Sequence, residues 1–134
     1  MTARILVIDD EPTIRRTLER ALRAMDLDVL LAADAQAAYD LLHGAEVDVI
    51  LLDLHLPQMS GDTFFVAATR KWPYLGSRIV LMTGDLFAEQ AHWPDDLRGC
   101  RMLHKPFMLE LLRSTVRDVL AEISSRQARA ENGR

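Results

Sequence analysis

The sequence has a single cysteine, Cys100, among its 134 residues. An internal disulfide is therefore excluded, and a reducing compartment such as the cytoplasm fits this composition. Long apolar runs are also missing, and no segment approaches the ~20 residues that a transmembrane helix needs. The first apolar run covers only residues 5–8 before acids follow, which is too short for a signal peptide. These absences predict a cytoplasmic protein without a membrane segment.

Lysine is scarce, and basic residues are outnumbered by acids, 16 to 20. The formal net charge is −4 at pH 7, so nothing in the whole chain indicates a nucleic-acid partner. Only two basic residues are lysines, Lys71 and Lys105. Lys71 lies in a polar stretch typical of a solvated surface, whereas Lys105 lies between His104 and Pro106 after an apolar segment. Lys105 therefore needs a specific explanation.

Internal repeats and linkers are absent too, which predicts one domain. Five short apolar runs alternate instead with segments of helical spacing. The predicted strands cover 3–8, 27–33, 47–53, 78–82 and 101–104, and the predicted helices cover 12–25, 35–43, 61–71, 86–92 and 109–123. This alternation predicts an α/β fold with a parallel sheet covered by helices on both faces. The domain is expected to span 1–123, with 124–134 as a frayed or disordered tail.

Chemically active side chains follow four of the five predicted strands. They are Asp9 and Asp10 after the first strand, Asp53 after the third, Thr83 after the fourth and Lys105 after the fifth. In a parallel sheet, ligands bind outside the carboxyl ends of the strands. With the strand order 2-1-3-4-5 these four strands are neighbours, so the five side chains are expected in one small cleft.

This set of groups suits phosphoryl chemistry on a carboxylate. Three crowded carboxylates favour a hard divalent cation, and Mg²⁺ prefers oxygen ligands and bridges to phosphate oxygens. Asp53 can then act as a nucleophile that forms an aspartyl phosphate. Thr83 can donate a hydrogen bond to the phosphoryl group, and Lys105 can supply a positive charge. Gly84 lets the backbone approach a phosphate closely.

Each of these residues has a simpler explanation when taken alone. Asp53 is also compatible with a strand end or a turn cap, and Asp9 and Asp10 with helix capping. Thr83 is also compatible with an ordinary strand position, and Lys105 with the surface. Their coincidence at the ends of strands one, three, four and five favours the functional interpretation.

The chain resembles a bacterial response-regulator receiver domain over about residues 3–122. The resemblance rests on the motifs Ile8-Asp9-Asp10-Glu11-Pro12, Leu52-Asp53, Leu56-Pro57, Met59-Ser60-Gly61, Met82-Thr83-Gly84 and Lys105-Pro106-Phe107. It implies a doubly wound, flavodoxin-like (βα)₅ domain with strand order 2-1-3-4-5. It also implies a stand-alone signalling protein without a DNA-binding output domain in this chain.

The resemblance implies a phosphoacceptor and a metal site. Asp53 matches the phosphoacceptor, Asp10 a direct metal ligand and Asp9 the neighbouring acid. The backbone carbonyl of His55 matches the third protein ligand. The implied cofactor is Mg²⁺ or Mn²⁺.

The resemblance also implies the groups that sense the phosphoryl group. Thr83, Gly84 and Lys105 match phosphate-binding and switch positions. The Lys105–Pro106 bond matches a peptide bond that is cis in the family, which X–Pro tolerates at modest cost. Met102 occupies the place where the family usually has a switching Tyr or Phe, so a weaker coupling through the fifth strand is expected.

The implied partners are a sensor histidine kinase or a histidine phosphotransfer protein, together with a downstream protein target; a homodimer is also compatible with the family. Kinase docking is expected on the first helix and on the loop after Lys105. The residues implied are Ile14, Arg15, Leu18, Pro106 and Phe107. A solvated basic face equally explains the arginines of this helix.

The sequence therefore predicts a phosphoacceptor switch that catalyses only its own phosphorylation and slow dephosphorylation. An adaptor that works without phosphorylation is the first alternative, and the intact acid, threonine and lysine set argues against it. A phosphatase with Asp53 as nucleophile is the second, and His55 stands where such enzymes usually carry a second Asp. A flavin-binding protein is disfavoured because no Gly/Ser/Thr-rich phosphate loop follows strand one.

Overall fold

Five strands form one sheet in the computed structural model, which describes residues 2–84, 93 and 95–132. The strands are β1 Arg4–Ile8, β2 Asp28–Ala32, β3 Val49–Asp53, β4 Ile79–Thr83 and β5 Arg101–His104. The helices are α1 Pro12–Arg23, α2 Ala35–Gly44, α3 Gly61–Lys71, α4 Asp95–Arg98 and α5 Leu109–Asn132, with a 3₁₀ helix at Pro73–Ser77. All neighbouring strands are parallel, and the order β2-β1-β3-β4-β5 confirms the predicted topology.

The strands are apolar at nearly every position because both faces of the sheet are covered. Successive side chains of a strand point to opposite faces, so Leu6 and Ile8 of β1 belong to one core cluster. Ile5 and Val7 belong to the other. The fold is therefore the doubly wound α/β class that the alternation predicts.

Two layers of helices complete the core. Helices α1 and α5 cover one face through Leu18, Ala21, Leu22, Leu112, Val116 and Val119. Helices α2 and α3 cover the other through Ala35, Ala38, Leu42, Phe64, Phe65 and Ala68, joined by Leu97 of α4. Phe64 and Phe65 are both 1% exposed, and truncating such a residue to Ala typically costs about 3–5 kcal/mol.

Local signals fix several helix ends. Pro12 is the first residue of α1, where its missing N–H is not needed. The Asp34 carboxylate accepts a hydrogen bond of 2.8 Å from the Ala37 N–H, so Asp34 caps α2 as its residue type predicts. Gly44 is the last residue of α2 rather than a cap beyond it.

Helix α5 is longer than expected. The apolar spacing ends near Ile123, but the structure continues the helix to Asn132. All residues from 124 to 131 are exposed, so packing against the core does not hold this part. The segment is rich in Ala, Arg, Gln and Glu, which are strong helix formers. The Arg126 guanidinium also donates to the Ser77 hydroxyl at 3.1 Å.

The predicted helix over 86–92 lies outside the described residues. None of the helices in the part that is described is both long and apolar enough to cross a membrane.

Candidate functional site

The carboxyl ends of β1, β3, β4 and β5 meet at one edge of the sheet. Asp53 lies opposite Met82 in the β3–β4 register, and Thr83 lies opposite His104 in the β4–β5 register. The backbone N–H of Lys105 donates to the Thr83 carbonyl at 2.7 Å, which fixes the start of the loop after β5. The sheet thus brings the predicted residues to the same edge.

Asp9 is fully buried and every oxygen that it offers is used. One carboxylate oxygen accepts from the Glu11 N–H at 2.9 Å, and the other accepts from the Lys105 ammonium at 2.6 Å. Its backbone carbonyl accepts from the Arg15 guanidinium at 2.8 Å. Asp9 is therefore a fixed anchor of the site.

Asp53 ends the central strand and is 3% exposed. One of its carboxylate oxygens accepts from the His55 backbone N–H at 2.9 Å, and the other accepts from Lys105 at 3.3 Å. Burial raises the pKa of Asp53, and the nearby Asp9 charge raises it further. The His55 N–H and Lys105 oppose this shift without cancelling it. The fold thus holds this carboxylate where its charge is poorly compensated.

Lys105 is the cation of the site. Its Nζ atom lies 2.6 Å from Asp9, 3.3 Å from Asp53 and 3.9 Å from Glu11. Burial alone would lower the pKa of Lys105, but the hydrogen bond to Asp9 and the charges of Asp9 and Asp53 outweigh it, and the pKa is raised. Lys105 therefore stays protonated. Its position explains the lysine that the sequence left unexplained.

Asp10 adds a third carboxylate and is exposed. One oxygen from each of Asp9, Asp10 and Asp53 can be chosen so that all lie within 4.8 Å of one another. Three carboxylates face a single ammonium, so negative charge remains uncompensated. Oxygen donors with surplus negative charge are the donor set that Mg²⁺ prefers, and the residues present therefore fit such an ion.

The fourth strand contributes a buried hydroxyl. Thr83 is 0% exposed, and its Oγ1 atom lies 3.3 Å from Nε2 of His55. Gly84 follows and is exposed, and a Cβ added there would meet nothing within 4 Å. Met102 of β5 is partly buried against the core and lies opposite Leu81.

A close backbone contact holds the loop after Asp53. A Cβ added at Gly61 would lie 2.7 Å from the Asp53 carbonyl oxygen and 2.7 Å from the Leu54 Cα. The Gly61 N–H donates to the Leu54 carbonyl at 3.1 Å, and the Leu54 N–H donates to the Met82 carbonyl at 3.0 Å. The start of α3 is therefore fixed against the end of β3.

Four of the five expected docking residues, all except Arg15, line one groove. It has a volume of about 390 Å³, and its lining includes Ile14, Leu18, Lys105, Pro106 and Phe107. The Lys105–Pro106 peptide bond is cis. Leu18 is buried beneath the groove.

Sequence reasoning missed two contacts at this edge. Arg15, expected at the docking surface, also donates to the Asp9 carbonyl, and the helical spacing alone gave no sign of this contact. Gly61 was expected to start the third helix, but the close backbone contact that leaves no room for a Cβ there was not foreseen. A Gly at the start of a helix, eight residues after the key acid, was the available signal.

Residues 5–117 match the family model described as "Response regulator receiver domain". The chain belongs to this family. The motifs that suggested the resemblance thus identify the family correctly, and the fold confirms the expected architecture.

Individual relatives agree with this assignment. The receiver domain is 32% identical to "Response regulator MprA" of Mycolicibacterium vanbaalenii over 123 residues, which cover 90% of this chain and 51% of that protein. The chain spans about half or less of the length of the curated relatives it matches.

Solved structures share the fold. The signal receiver domain of an HD domain-containing protein from Pseudomonas fluorescens Pf-5 has a TM-score of 0.84 and 28% identity, covering 93% of this chain and 99% of that one. The response regulator protein TrrA from Thermotoga maritima, solved in complex with Mg²⁺-BeF, has a TM-score of 0.76 and 24% identity. That match covers 88% of this chain and 99% of TrrA.

Proposed function

We propose that this receiver domain accepts a phosphoryl group on Asp53 from a histidine kinase or a histidine phosphotransfer protein. The observation that carries the proposal is the position of the Lys105 ammonium, which lies 2.6 Å from Asp9 and 3.3 Å from Asp53 at the carboxyl edge of the sheet. A carboxylate intended only for stability would not need burial beside a second acid. The domain acts as a cytoplasmic signalling protein and not as an enzyme on a separate substrate.

The transfer step follows from the groups around Asp53. A carboxylate oxygen of Asp53 forms the new P–O bond, while the P–N bond of the donor's phosphohistidine breaks and its electron pair returns to the imidazole. The Lys105 ammonium pairs with the Asp53 carboxylate before transfer and can pair with the phosphoryl oxygens after it. The Thr83 hydroxyl and the open backbone at Gly84 lie beside it on the neighbouring strand end. Catalysis in this site rests on positioning and charge stabilisation.

Asp9, Asp10, Asp53 and the His55 backbone carbonyl are the groups that would hold a Mg²⁺ or Mn²⁺ ion. When bound, the cation supplies positive charge that offsets the repulsion among the acids and the incoming phosphoryl group. The three carboxylates with surplus negative charge support this assignment. TrrA, which shares the fold, was solved with Mg²⁺-BeF.

The proposed acceptor is tested with a small donor that needs no partner protein. Wild-type protein incubated with acetyl phosphate and Mg²⁺ should gain one phosphoryl group by mass spectrometry, and peptide mapping should locate it on Asp53. Asp53→Asn should lose it. A fully modified Asp53→Asn protein would show that another residue is the acceptor.

The metal assignment is tested by melting curves. Mg²⁺ should raise the Tm of the wild type because it binds the folded state only. Asp10→Asn should remove most of this increase, since Asp10 is exposed and its loss leaves the buried contacts intact. Asp34→Asn, whose carboxylate caps α2, serves as the matched control and should keep the full response. An unchanged response in Asp10→Asn would mean that the ion binds elsewhere.

Docking of the kinase is proposed for the groove between α1 and the loop after β5. Ile14, Pro106 and Phe107 line it beside Lys105, so a partner seated there would reach the acceptor edge. Arg16 is exposed on the same helix, whereas Arg15 is engaged with Asp9. Arg16→Glu should therefore slow phosphotransfer from the kinase but not from acetyl phosphate. Equal loss with both donors would indicate damage to the site rather than to docking.

The output is proposed to couple weakly through β5, because Met102 has more rotamers and a less defined shape than an aromatic ring. Amide exchange with and without beryllofluoride should change little along β5 in the wild type and more in Met102→Tyr. Strong changes along β5 in the wild type would contradict weak coupling. We also propose that 1–123 forms the receiver unit, since the core contacts of α5 stop at Ile123.

A further inference from the structure

His55 makes two separate contacts at the acceptor edge. Its backbone N–H donates to the Asp53 carboxylate at 2.9 Å. Its ring atom Nε2 lies 3.3 Å from the Thr83 hydroxyl oxygen. One residue therefore touches both the proposed phosphoacceptor and the hydroxyl that the neighbouring strand presents.

The ring contact joins an exposed side chain to a buried one. His55 is exposed, whereas Thr83 is 0% exposed, so the imidazole lies on the solvent side of the hydroxyl. Either tautomer can make the bond, because a hydroxyl donates to an unprotonated ring nitrogen and accepts from a protonated one. The hydroxyl has a single hydrogen, however, so it can donate to an unprotonated Nε2 or to a phosphoryl oxygen but not to both, and the competition concerns this hydrogen.

The backbone that carries the imidazole is anchored. Leu54 is bonded to β4 through the Met82 carbonyl, and Gly61 packs directly on the Asp53 carbonyl and the Leu54 Cα. The loop that carries His55 therefore starts from a fixed point. Only the side-chain torsions of His55 remain to be ordered when the imidazole contacts Thr83.

We propose that His55 is a positioning residue that holds the Thr83 hydroxyl in the unphosphorylated protein, so that a phosphoryl group on Asp53 must compete with the imidazole for it. This inference rests on the proposed function of Asp53. A phosphoryl group can shift the hydroxyl only by the difference between its own interaction and the one it replaces. The hydrogen bond to His55 thus reduces the affinity of the site for a phosphoryl group.

The size of the effect follows from the strength of one hydrogen bond. A net contribution of ordinary size corresponds to an about two- to tenfold change in an equilibrium constant. Removing the ring nitrogen should therefore tighten the binding of a phosphoryl mimic by about two- to tenfold, and it should do so only while Thr83 carries its hydroxyl.

The test is a double-mutant cycle on the full chain, with beryllofluoride and Mg²⁺ as the probe and the dissociation constant as the readout. The variants are His55→Leu, His55→Gln, Thr83→Val and the His55→Leu/Thr83→Val pair. Each substitution keeps the backbone N–H that Asp53 accepts. The side-chain amide of Gln reaches about as far as Nε2 and can donate or accept, so it tests the hydrogen bond itself.

We expect tighter binding in His55→Leu, wild-type affinity in His55→Gln, and no effect of His55→Leu once Thr83 is Val. His43→Leu is the matched control, since His43 is an exposed histidine of α2 that packs on Tyr39 and Trp72. It should bind the probe as the wild type does. A second readout needs no ligand: the Thr83 methyl resonance should move in His55→Leu and return in His55→Gln.

The outcomes separate this inference from the proposed function. Unchanged or weaker binding in His55→Leu, or an equal effect in the Thr83→Val background, overturns the role of His55 while leaving the acceptor in place. An unmoved Thr83 methyl resonance in His55→Leu overturns the contact without reference to any ligand. If the wild type fails to bind the probe, the proposed function of Asp53 is contradicted. The proposed competition between His55 and the phosphoryl group is then contradicted as well.

Discussion

The two edges of the sheet treat acidic residues in opposite ways. At the amino edge, two acids are paired with arginines at the surface: Arg4 lies 3.5 Å from Asp28, and Arg101 lies 2.7 Å from Glu122. The hydrogen bond from Arg101 lowers the pKa of Glu122. At the carboxyl edge, burial raises the pKa of Asp53 even though Lys105 is beside it.

The difference lies in how the charge of each acid is compensated. An exposed acid beside its own arginine is a solvated and compensated anion, and such a pair contributes little to the free energy of unfolding. A buried acid that shares one lysine with a second acid is only partly compensated. A further positive charge would therefore stabilise its anionic form. Opposite pKa shifts at the two ends of the same sheet thus distinguish an exposed ion pair from a buried, incompletely compensated acid.

The largest expected effect comes from removing the shared cation. Lys105→Met leaves Asp9 and Asp53 buried without their ammonium, and breaking a buried pair in this way typically costs about 3–5 kcal/mol. Urea unfolding at neutral pH should show this loss, and the Asp53→Asn background should reduce it. Lys71→Met, at an exposed lysine, should change the free energy of unfolding by less than about 0.5 kcal/mol. Similar effects of the two variants would remove the contrast between the edges.

The next effect comes from the backbone contact under the site. Gly61→Ala places a Cβ within 2.7 Å of two backbone atoms, which cannot move as a flexible side chain does. We expect a loss of about 1–3 kcal/mol, the usual cost of overpacking. Gly44→Ala is the control, since a Cβ there would meet nothing within 4 Å and Ala favours the helix. A Gly61→Ala protein as stable as the wild type would show that α3 can shift freely.

A smaller effect is the pH dependence of the free energy of unfolding that Asp53 causes. Because its pKa is raised in the folded state above the ordinary 3.8, the folded protein binds this proton more tightly than the unfolded chain. The contribution of Asp53 to stability is therefore full below pH 3.8 and is lost as the pH rises through the raised value.

The corresponding measurement is the Tm difference between Asp53→Asn and the wild type without divalent ions. Asn is uncharged, so Asp53→Asn should melt higher at neutral pH, and the advantage should shrink on acidification towards 3.8. We expect a change smaller than that of Lys105→Met, since Lys105 keeps Asp9 as a partner. A wild type that melts higher at neutral pH would contradict the assigned direction.

The smallest effect is expected at the amino edge. Asp28→Asn removes the surface partner of Arg4, and exposed pairs of this kind contribute only about 0–1 kcal/mol. Added salt should weaken even this contribution. A loss comparable with that of Lys105→Met would place the two edges in the same class.

The sequence predicted the strands and the residues at the carboxyl edge because both depend on short-range patterns, whereas the order of the strands followed from the resemblance to the receiver family. Buried strands need apolar residues at every position, and ligand groups follow directly where such strands end. Asp53 and Lys105 could therefore be found without coordinates. Their distances and the burial of Asp9 could not, because these depend on how elements far apart in the chain pack together.

Other features had no pattern to reveal them. The end of α5 could not be predicted because residues after Ile123 are helical without packing, and apolar spacing detects only packed faces. The contact of His55 with Thr83 joins residues 28 positions apart through one side-chain rotamer. A pattern of residue types carries no information about rotamers.

The two lysines of the chain differ enough to make amine reactivity a local probe of the site. Lys71 is exposed at the end of α3, whereas the Lys105 side chain is 15% exposed and its raised pKa keeps it protonated. Only an unprotonated amine is a nucleophile, so acylating reagents should modify Lys71 first and spare Lys105. The ratio of the two adducts then reports, inside one molecule, whether the ammonium still lies between its acids.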